Sequence, residues 1–205
     1  MTMRLLLIRH GEVQGIDPPT FRGRLDLQLT PRGVEQARAT ADYLTGRVAP
    51  SAVYCSPLSR CVRTADMLCE PFRLASIPHP GFNDIDYGGW TGMSVAETAA
   101  RWPQEAACWK NTPQLLRLPG GDSLQDMLAR AADALNVIVH TRVHGTLVIV
   151  THDSVIRVLL CHALGLPLSA YWLFAPSPCG ITRLAYAEGR FTAEAFNETQ
   201  HLMHV

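Results

Sequence analysis

The hydrophobic pattern at the start of the chain predicts a buried strand. Residues 5–8 form an unbroken apolar run, which suits a strand covered on both faces in a parallel sheet. The run leads directly into Arg9, His10 and Gly11. In open α/β sheets, ligands bind at the carboxyl ends of the strands. The pattern therefore predicts a strand that delivers a cation and an imidazole to a binding edge.

A second apolar strand repeats this plan later in the chain. Residues 147–150 are apolar, and His152 and Asp153 follow soon after them. A segment with apolar positions at helical spacing then continues until Gly165. Two strands are thus expected to bring a histidine to the same edge of one sheet.

Three further segments have the periodicity of amphipathic helices. The first is capped by Thr30. The second follows a short strand that reaches Cys55, and its first turns carry Arg60. The third is long and starts with Asp122 or Ser123 as its cap. These helices are expected to cover the sheet.

Strands that alternate with helices predict an α/β fold, here a three-layer sandwich with a mostly parallel central sheet and helices on both faces. The tail alternates around Glu188 and Gly189, which is typical of an edge hairpin. Glycine, proline and tryptophan interrupt the alternation at about residues 80–121. We expect this stretch, called the covering segment below, to lie over the binding edge, with short helices near 95–102 and 104–110. No linker divides the chain, so residues 1–205 are expected to form one domain.

Composition narrows the classes of partner. The chain has 18 Lys and Arg residues against 18 Asp and Glu residues, so it lacks the basic excess of a nucleic-acid or anionic-membrane surface. Its six cysteines have no zinc-like spacing, which favours free buried thiols and a reducing compartment. No apolar run is long enough to span a bilayer, and no signal peptide precedes the first strand. We therefore expect a cytoplasmic protein.

Four residues could form a phosphate site if the strand ends converge. Arg9, His10, Arg60 and His152 each lie at a strand end or in the helix start that follows it. Guanidinium groups match phosphate oxygens in bidentate geometry, and helix N-termini add partial positive charge. A histidine at a strand end is, taken singly, more often structural than catalytic. The hypothesis of a phosphate site therefore depends on all four residues being close together in space.

His10 is the predicted nucleophile of this site. A neutral imidazole can attack phosphorus through one nitrogen while the other donates to a carbonyl. Gly11 would let the backbone approach a phosphate closely, and Arg9 would neutralise charge on the transferred group. No metal is required if the arginines and a protonated His152 supply the positive charge that magnesium supplies elsewhere.

The leaving alkoxide needs a proton, so a carboxylic acid must face the nucleophile. Asp84 and Asp86 lie in a turn-rich stretch suited to a loop over the pocket, and Asp153 directly follows His152. A nearby phosphate dianion would raise the pKa of such a carboxyl group. The residues alone leave these candidates open.

Seven blocks of the sequence, in order and spacing, resemble the phosphoglycerate mutase-like branch of the histidine phosphatase superfamily. The match extends over nearly the whole chain, and seven blocks in order are far more specific than R-H-G alone. The blocks are LIRHGE, LTPRGVEQA, YCSPLSRCVRTA, NDIDYGGWTG, PGGDS, VTHDSVIR and FNETQHL.

The resemblance implies a phosphoglycerate mutase-like fold, a phosphorylated His10, and a phosphate pocket formed by Arg9, Arg60 and His152. Family members usually have a glutamate at the position of Asp84, so Asp84 is favoured as the general acid. Asp153 remains the alternative, because the acid phosphatase branch takes its proton from an aspartate directly after the second histidine.

The chain departs from the family pattern at three positions near His10. Family members often have a threonine, an asparagine and a glutamine where this chain has Val13, Ile16 and Arg22. Two neutral phosphate contacts are therefore lost. Arg22 is expected to replace them with a cation that binds phosphate or a second anionic group.

The resemblance implies a metal-independent phosphomonoesterase that acts on a small phosphorylated metabolite and needs no cofactor. The extended insertion of the mutases is missing, which favours hydrolysis over transfer. A cofactor-dependent phosphoglycerate mutase and a non-catalytic phospho-ligand binding protein remain the alternatives. Trp102, Trp109, Lys110 and Arg117 are candidates for selecting the leaving group, and the alternative for the aromatic residues is a small core of the covering segment itself. The expected partner is a small phosphomonoester, with no nucleic acid or membrane, and a homodimer is compatible with this layout.

Overall fold

The computed structural model of the chain describes residues 2–16, 19–141 and 145–205. Within these residues the chain forms one six-stranded sheet in the order β3-β2-β4-β1-β5-β6. The strands are β1 (Met3–Arg9), β2 (Pro50–Cys55), β3 (Ser76–Pro78), β4 (Gly145–Thr151), β5 (Ile181–Ala187) and β6 (Arg190–Glu198). The helices are α1 (Pro31–Leu44), α2 (Ser59–Cys69), α3 (Val95–Arg101), α4 (Pro103–Asn111), α5 (Leu124–Thr141) and α6 (Asp153–Ala163).

The sheet is parallel at its centre and antiparallel at one edge. β4 pairs in parallel with both β1 and β2, and β2 pairs in parallel with β3. The hairpin of β5 and β6 adds to β1 in the antiparallel sense. The predicted mostly parallel sheet and the edge hairpin are therefore confirmed.

Helices cover both faces of the sheet, as the fold prediction required. Leu6 and Ile8 of β1 point into one core, together with residues of α1 and α2. Leu5 and Leu7 point into the other, together with residues of α5 and α6. Alternate side chains of a strand leave on opposite faces. The unbroken apolar run of β1 is thus explained by burial on both sides.

The covering segment contributes to the core instead of lying loosely on it. Its Trp90 is fully buried, and Trp109 is nearly so, in the same core as α5 and α6. Short helices were expected near 95–102 and 104–110, and α3 and α4 occupy these positions. Apolar burial of this kind fixes the segment against the body of the protein.

The cysteines and the helices bear on two expectations drawn from composition. All six cysteines are free thiols, and five of them are buried. Across residues 2–16, 19–141 and 145–205, no helix combines the length and the apolar character that crossing a membrane requires.

Candidate active site

A large cavity lies at the carboxyl ends of β1 and β4. Its volume is about 930 Å³. Arg9, Arg22, Asp84 and Asp153 line one part of it, and the covering segment lines much of the rest. The two strand ends meet here because β1 and β4 are parallel neighbours, with Arg9 paired to Thr151.

His10 is held in one tautomer. Its Nδ1 lies 2.7 Å from the carbonyl oxygen of Gly11, which can only accept, so Nδ1 carries the proton. The Nε of Arg60 donates to His10 Nε2 at 3.2 Å, so Nε2 carries the lone pair. Burial and the positive charges of Arg60 and Arg9 hold the pKa of His10 well below its usual value. The site therefore presents a neutral imidazole with a defined electron pair.

Arg60 is fully buried and held by four acceptors. Besides His10, its guanidinium donates to the carbonyl oxygens of Gly23 at 2.7 Å and Leu25 at 2.6 Å. It also donates to Asp84 Oδ2 at 3.0 Å. The first turn of α2 thus delivers a fixed cation to the point between His10 and Asp84.

Arg9 and Arg22 bring two more cations to the cavity. Arg9 donates to the carbonyl oxygen of Pro176 at 2.9 Å, whereas its buried Nε has no partner among the described residues. Arg22 donates to the carbonyl oxygen of Gly15. Burial lowers the pKa of Arg22, and the nearby carboxylate of Asp153 partly offsets this. With Arg60, this end of the cavity has the charge of an anion site.

His152 is fully buried beside His10, with the ring centroids 5.2 Å apart. Its Nε2 is 2.8 Å from Ser56 Oγ, and its Nδ1 is 3.4 Å from Asp84 Oδ2. Burial, followed by the positive charge of Arg60, lowers the pKa of His152 well below its usual value. The protein by itself thus favours neutral His152, which differs from the expected cation. A bound dianion would oppose this, because a nearby negative charge raises a histidine pKa.

The two candidate acids have opposite surroundings. Burial, assisted by the charge of Asp153, raises the pKa of Asp84, although Arg60 opposes the shift. Burial would also raise the pKa of Asp153, but Arg9, Arg157 and Arg22 outweigh it and lower the pKa to about 2. Of the two, Asp84 is the one whose surroundings favour the protonated form.

Comparison with known proteins agrees with this geometry. A sequence model of the histidine phosphatase superfamily (branch 1) matches residues 5–199. The chain belongs to the histidine phosphatase superfamily.

Several of the similar proteins are phosphatases by name. Phosphoserine phosphatase 1 of Hydrogenobacter thermophilus is 30% identical over 200 residues, which cover 98% of this chain and 94% of that protein. The adenosylcobalamin/alpha-ribazole phosphatase of Escherichia coli is 28% identical over 172 residues, 84% of each chain. A solved mutant phosphoserine phosphatase of Entamoeba histolytica, in complex with phosphoserine, has a TM-score of 0.86 and 26% identity, covering 98% of this chain and 100% of that one. This histidine phosphatase is therefore a phosphatase with the phosphoglycerate mutase-like fold.

Gly11 has a different place in this histidine phosphatase from the one expected. Its N–H donates to Thr64 Oγ1 at 3.1 Å, and a Cβ on it would overlap the carbonyl oxygen of Gly33 in α1. The missing side chain thus makes room for α1, not for a phosphate. Its only N–H is already in a bond within the protein, so this contact does not favour phosphate binding by Gly11, which stays a prediction.

Three polar residues of the site were not found from the sequence. Ser56 orients His152, and Ser154 donates to Asp84 Oδ1. Arg130 of α5 donates to the carbonyl oxygens of Asn83 at 2.5 Å and Asp84 at 2.8 Å. Ser56 and Ser154 adjoin residues that were singled out, so their closeness to strand ends was a usable signal. No signal in the sequence pointed to Arg130, since its partners are distant from it along the chain.

Other sequence-predicted residues are placed as follows. Trp109 and Lys110 line the cavity. Arg117 instead pairs with Asp126 at 3.0 Å, and Trp102 packs against the guanidinium of Arg101. Within the described part of the chain, no group of three His, Cys, Asp or Glu side chains is arranged to hold a metal ion.

Proposed function

We propose that this histidine phosphatase hydrolyses phosphomonoesters through a phosphohistidine formed at His10. The observation that supports this best is the double restraint on the imidazole, with Gly11 accepting from Nδ1 and Arg60 donating to Nε2. A lone pair fixed beside a guanidinium is a nucleophile placed where a phosphate would be bound. A protein that only binds phosphate has no need of this arrangement.

In the first step the Nε–H of Arg60 turns from His10 Nε2 to a phosphate oxygen, and the freed lone pair forms a bond to phosphorus while the ester P–O bond breaks. Arg9, Arg22 and Arg60 stabilise the negative charge of the transferred group, as a metal ion does in other phosphoryl transfers. Asp84 gives its proton to the leaving oxygen, so that the alcohol departs neutral. Asp153 stays ionised and helps to hold Arg9 and Arg157 in place.

The second step returns the enzyme to its starting state. A water molecule attacks phosphorus, Asp84 accepts its proton, and the P–N bond breaks to release inorganic phosphate. Lining residues such as Val95 and Trp172 are 47% and 42% exposed, so water has access to the cavity. Because water can enter, the phosphoryl group on His10 is expected to be transferred to water, and not to another phosphoglycerate molecule as in a mutase.

Trapping of the intermediate tests the proposal. A labelled phosphomonoester is mixed with the enzyme, quenched, and analysed for protein-bound phosphate that is labile in acid and stable in base. We expect such a species in the wild type and in Asp84→Asn treated with p-nitrophenyl phosphate, and none in His10→Ala. Phosphate release is expected to be unaffected by chelators.

Each alternative gives a different result. Interconversion of phosphoglycerates without phosphate release would identify a mutase. Tight phosphate binding without turnover of any ester would identify a binding protein. Phosphate release that persists in His10→Ala, or that chelators abolish, would contradict the phosphohistidine mechanism.

A further inference from the structure

We infer that the natural leaving group is a bulky apolar alcohol that bears a ring system, not a small charged one. This inference rests on the proposed function and concerns the part of the cavity beyond the phosphate end. It follows from the side chains that the covering segment presents there, and from the size of the space they enclose.

The cavity has two chemically different ends. The phosphate end contains the arginines and carboxylates described above. An apolar wall is formed by residues of α3 and α4 together with aromatic rings. The apolar and aromatic lining residues include Phe21, Val95, Ala99, Ala107, Trp109 and Trp172.

These apolar side chains are accessible to a ligand. Val95 is 47% exposed and Trp172 is 42% exposed, and Ala99, Pro103 and Ala107 are also exposed. Single exposed apolar residues are common on protein surfaces, but a contiguous set in one concave wall marks a binding surface. The alanines leave room for an occupant, because short side chains on α3 and α4 keep the wall recessed.

The volume fits a large occupant better than a small one. Ligand cavities range from about 300 to about 1,000 Å³, and 930 Å³ lies near the upper limit. A phosphorylated amino acid would leave most of the apolar wall in contact with water. A ring system would bury it, at about 25 cal/mol for each Å² removed from water.

The charged lining residues do not suit an ammonium group. Among the described residues that line the cavity, the carboxylates are those of Asp84 and Asp153. Asp84 pairs with Arg60 at 3.0 Å, and Asp153 lies 4.0 Å from both Arg9 and Arg157. Asp84 is therefore occupied by Arg60, and the positive charges of Arg9, Arg22 and Arg157 around Asp153 oppose the approach of a further cation. Lys110, at the end of α4, is exposed, so its ammonium group keeps its hydration.

Three alkyl phosphates test the inference, since their leaving alcohols make similar demands on the general acid. They are ethyl phosphate, phosphoserine and 2-(1-naphthyl)ethyl phosphate. We expect kcat/KM for the naphthyl ester to exceed that of each of the others by about tenfold or more. A preference for phosphoserine would overturn the inference and leave the proposed function intact.

A matched pair of variants tests whether the preference for the naphthyl ester comes from the apolar wall of α3 and α4. Ala99→Trp fills the cavity, whereas Ala100→Trp adds the same side chain to an exposed position of α3 that does not line it. Ala99→Trp is expected to lower kcat/KM for the naphthyl ester about tenfold and to leave ethyl phosphate within about twofold. Ala100→Trp is expected to leave both unchanged. Equal effects of the two variants would overturn the inference. If the wild type hydrolysed none of the three esters, both the proposed function and the inference would be overturned.

Discussion

Two aspartates in one cavity are given opposite proton affinities by their neighbours. Asp84 is buried against one cation, Arg60, and accepts bonds from Ser154 and the Ile85 amide. Asp153 lies among three arginines at the start of α6, where the helix dipole also favours a carboxylate. Pairs of titratable groups whose pKa values are driven apart are typical of acid and base roles. The raised pKa of Asp84 is what a proton donor requires.

Replacement of Asp84 tests this assignment. Asp84→Asn is expected to lower kcat for alkyl phosphates by roughly 10² to 10⁴, the usual contribution of a general acid. Its effect on p-nitrophenyl phosphate should be much smaller, because that leaving group departs without a proton. In the wild type, activity on alkyl phosphates should fall as the pH rises through the pKa of Asp84, and this alkaline limb should disappear in Asp84→Asn. The measurement is a pH profile of kcat/KM for both classes of ester.

Asp153→Asn is the matched control. Because Asp153 is ionised across the working range, its replacement should change the ratio of alkyl to nitrophenyl activity by less than about threefold. A ratio that falls in Asp153→Asn and not in Asp84→Asn would assign the proton to Asp153, as in the alternative drawn from the acid phosphatase branch.

The approach of the site residues to one another was predictable, and their finer contacts were not. Parallel strands end at a common edge, so Arg9, His10 and His152 had to meet once the two apolar runs were placed side by side. The position of Gly11 could not be inferred, because the need for a glycine comes from the approach of α1. Likewise, hydrophobic periodicity gives no information about which hydroxyl reaches a carboxylate across the site.

At the scale of elements, the loop that carries Asp84 is fixed by long-range polar contacts. Arg130 of α5 binds three consecutive parts of this loop, at the carbonyl oxygens of Gly81, Asn83 and Asp84. Asp122 accepts from Arg130 and from Arg24. Of the two caps predicted for α5, Ser123 accepts from the Asp126 amide, while Asp122 joins this network. The long helix therefore positions the loop of the proposed acid as well as packing against the sheet.

Loss of Arg130 should uncouple the acid from the nucleophile. Arg130→Met keeps the apolar stem of the side chain but removes all the bonds to the loop. We expect kcat for alkyl phosphates to fall about tenfold or more, and p-nitrophenyl phosphate to be affected less than about threefold, because only proton donation depends on the position of Asp84. A stability loss of about 1–3 kcal/mol should accompany it, since the buried carbonyl groups lose their donor.

Arg117→Met provides the control for this prediction. Arg117 makes an exposed ion pair with Asp126 of α5. Its replacement should therefore leave both activities and the free energy of unfolding nearly unchanged. If Arg130→Met lowered activity on both ester classes equally, its role would be general to the site instead of specific to the acid.

Elements with a long repeating pattern were predictable, and short ones were not. α1 and α5 follow the periodicity read from the sequence, because an amphipathic helix of three or more turns repeats its apolar spacing several times. β3 was not foreseen. It has three residues, Ser76–Pro78, none of them buried, and pairing with β2 alone defines it. The strand order likewise depends on contacts between distant residues, which a single sequence does not display.

At the scale of the whole molecule, the three-layer fold buries two imidazoles together with a guanidinium at the centre of the binding edge. His10 is 2% exposed, and His152 and Arg60 are fully buried. Burial in this low-dielectric site opposes protonation of the two imidazoles. The sheet and its two helical layers supply the stability that keeps this arrangement, since apolar burial on both faces is the dominant favourable contribution.

The lowered pKa values of His10 and His152 make the native state sensitive to acid. Their unfolded pKa is about 6.5, so below that pH the unfolded chain takes up protons that the folded chain does not, and the free energy of unfolding must fall. Each such proton contributes about 1.4 kcal/mol per pH unit.

We expect urea denaturation at pH 7.5, 6.5 and 5.5 to show a steeper loss of stability below pH 6.5 than above it. His10→Asn should reduce that slope by up to about 1.4 kcal/mol per pH unit, whereas His140→Asn, at an exposed position of α5, should not change it. A free energy of unfolding that stays constant or rises between pH 6.5 and 5.5 would show that the native state admits these protons, and would remove the basis for a neutral nucleophile at His10.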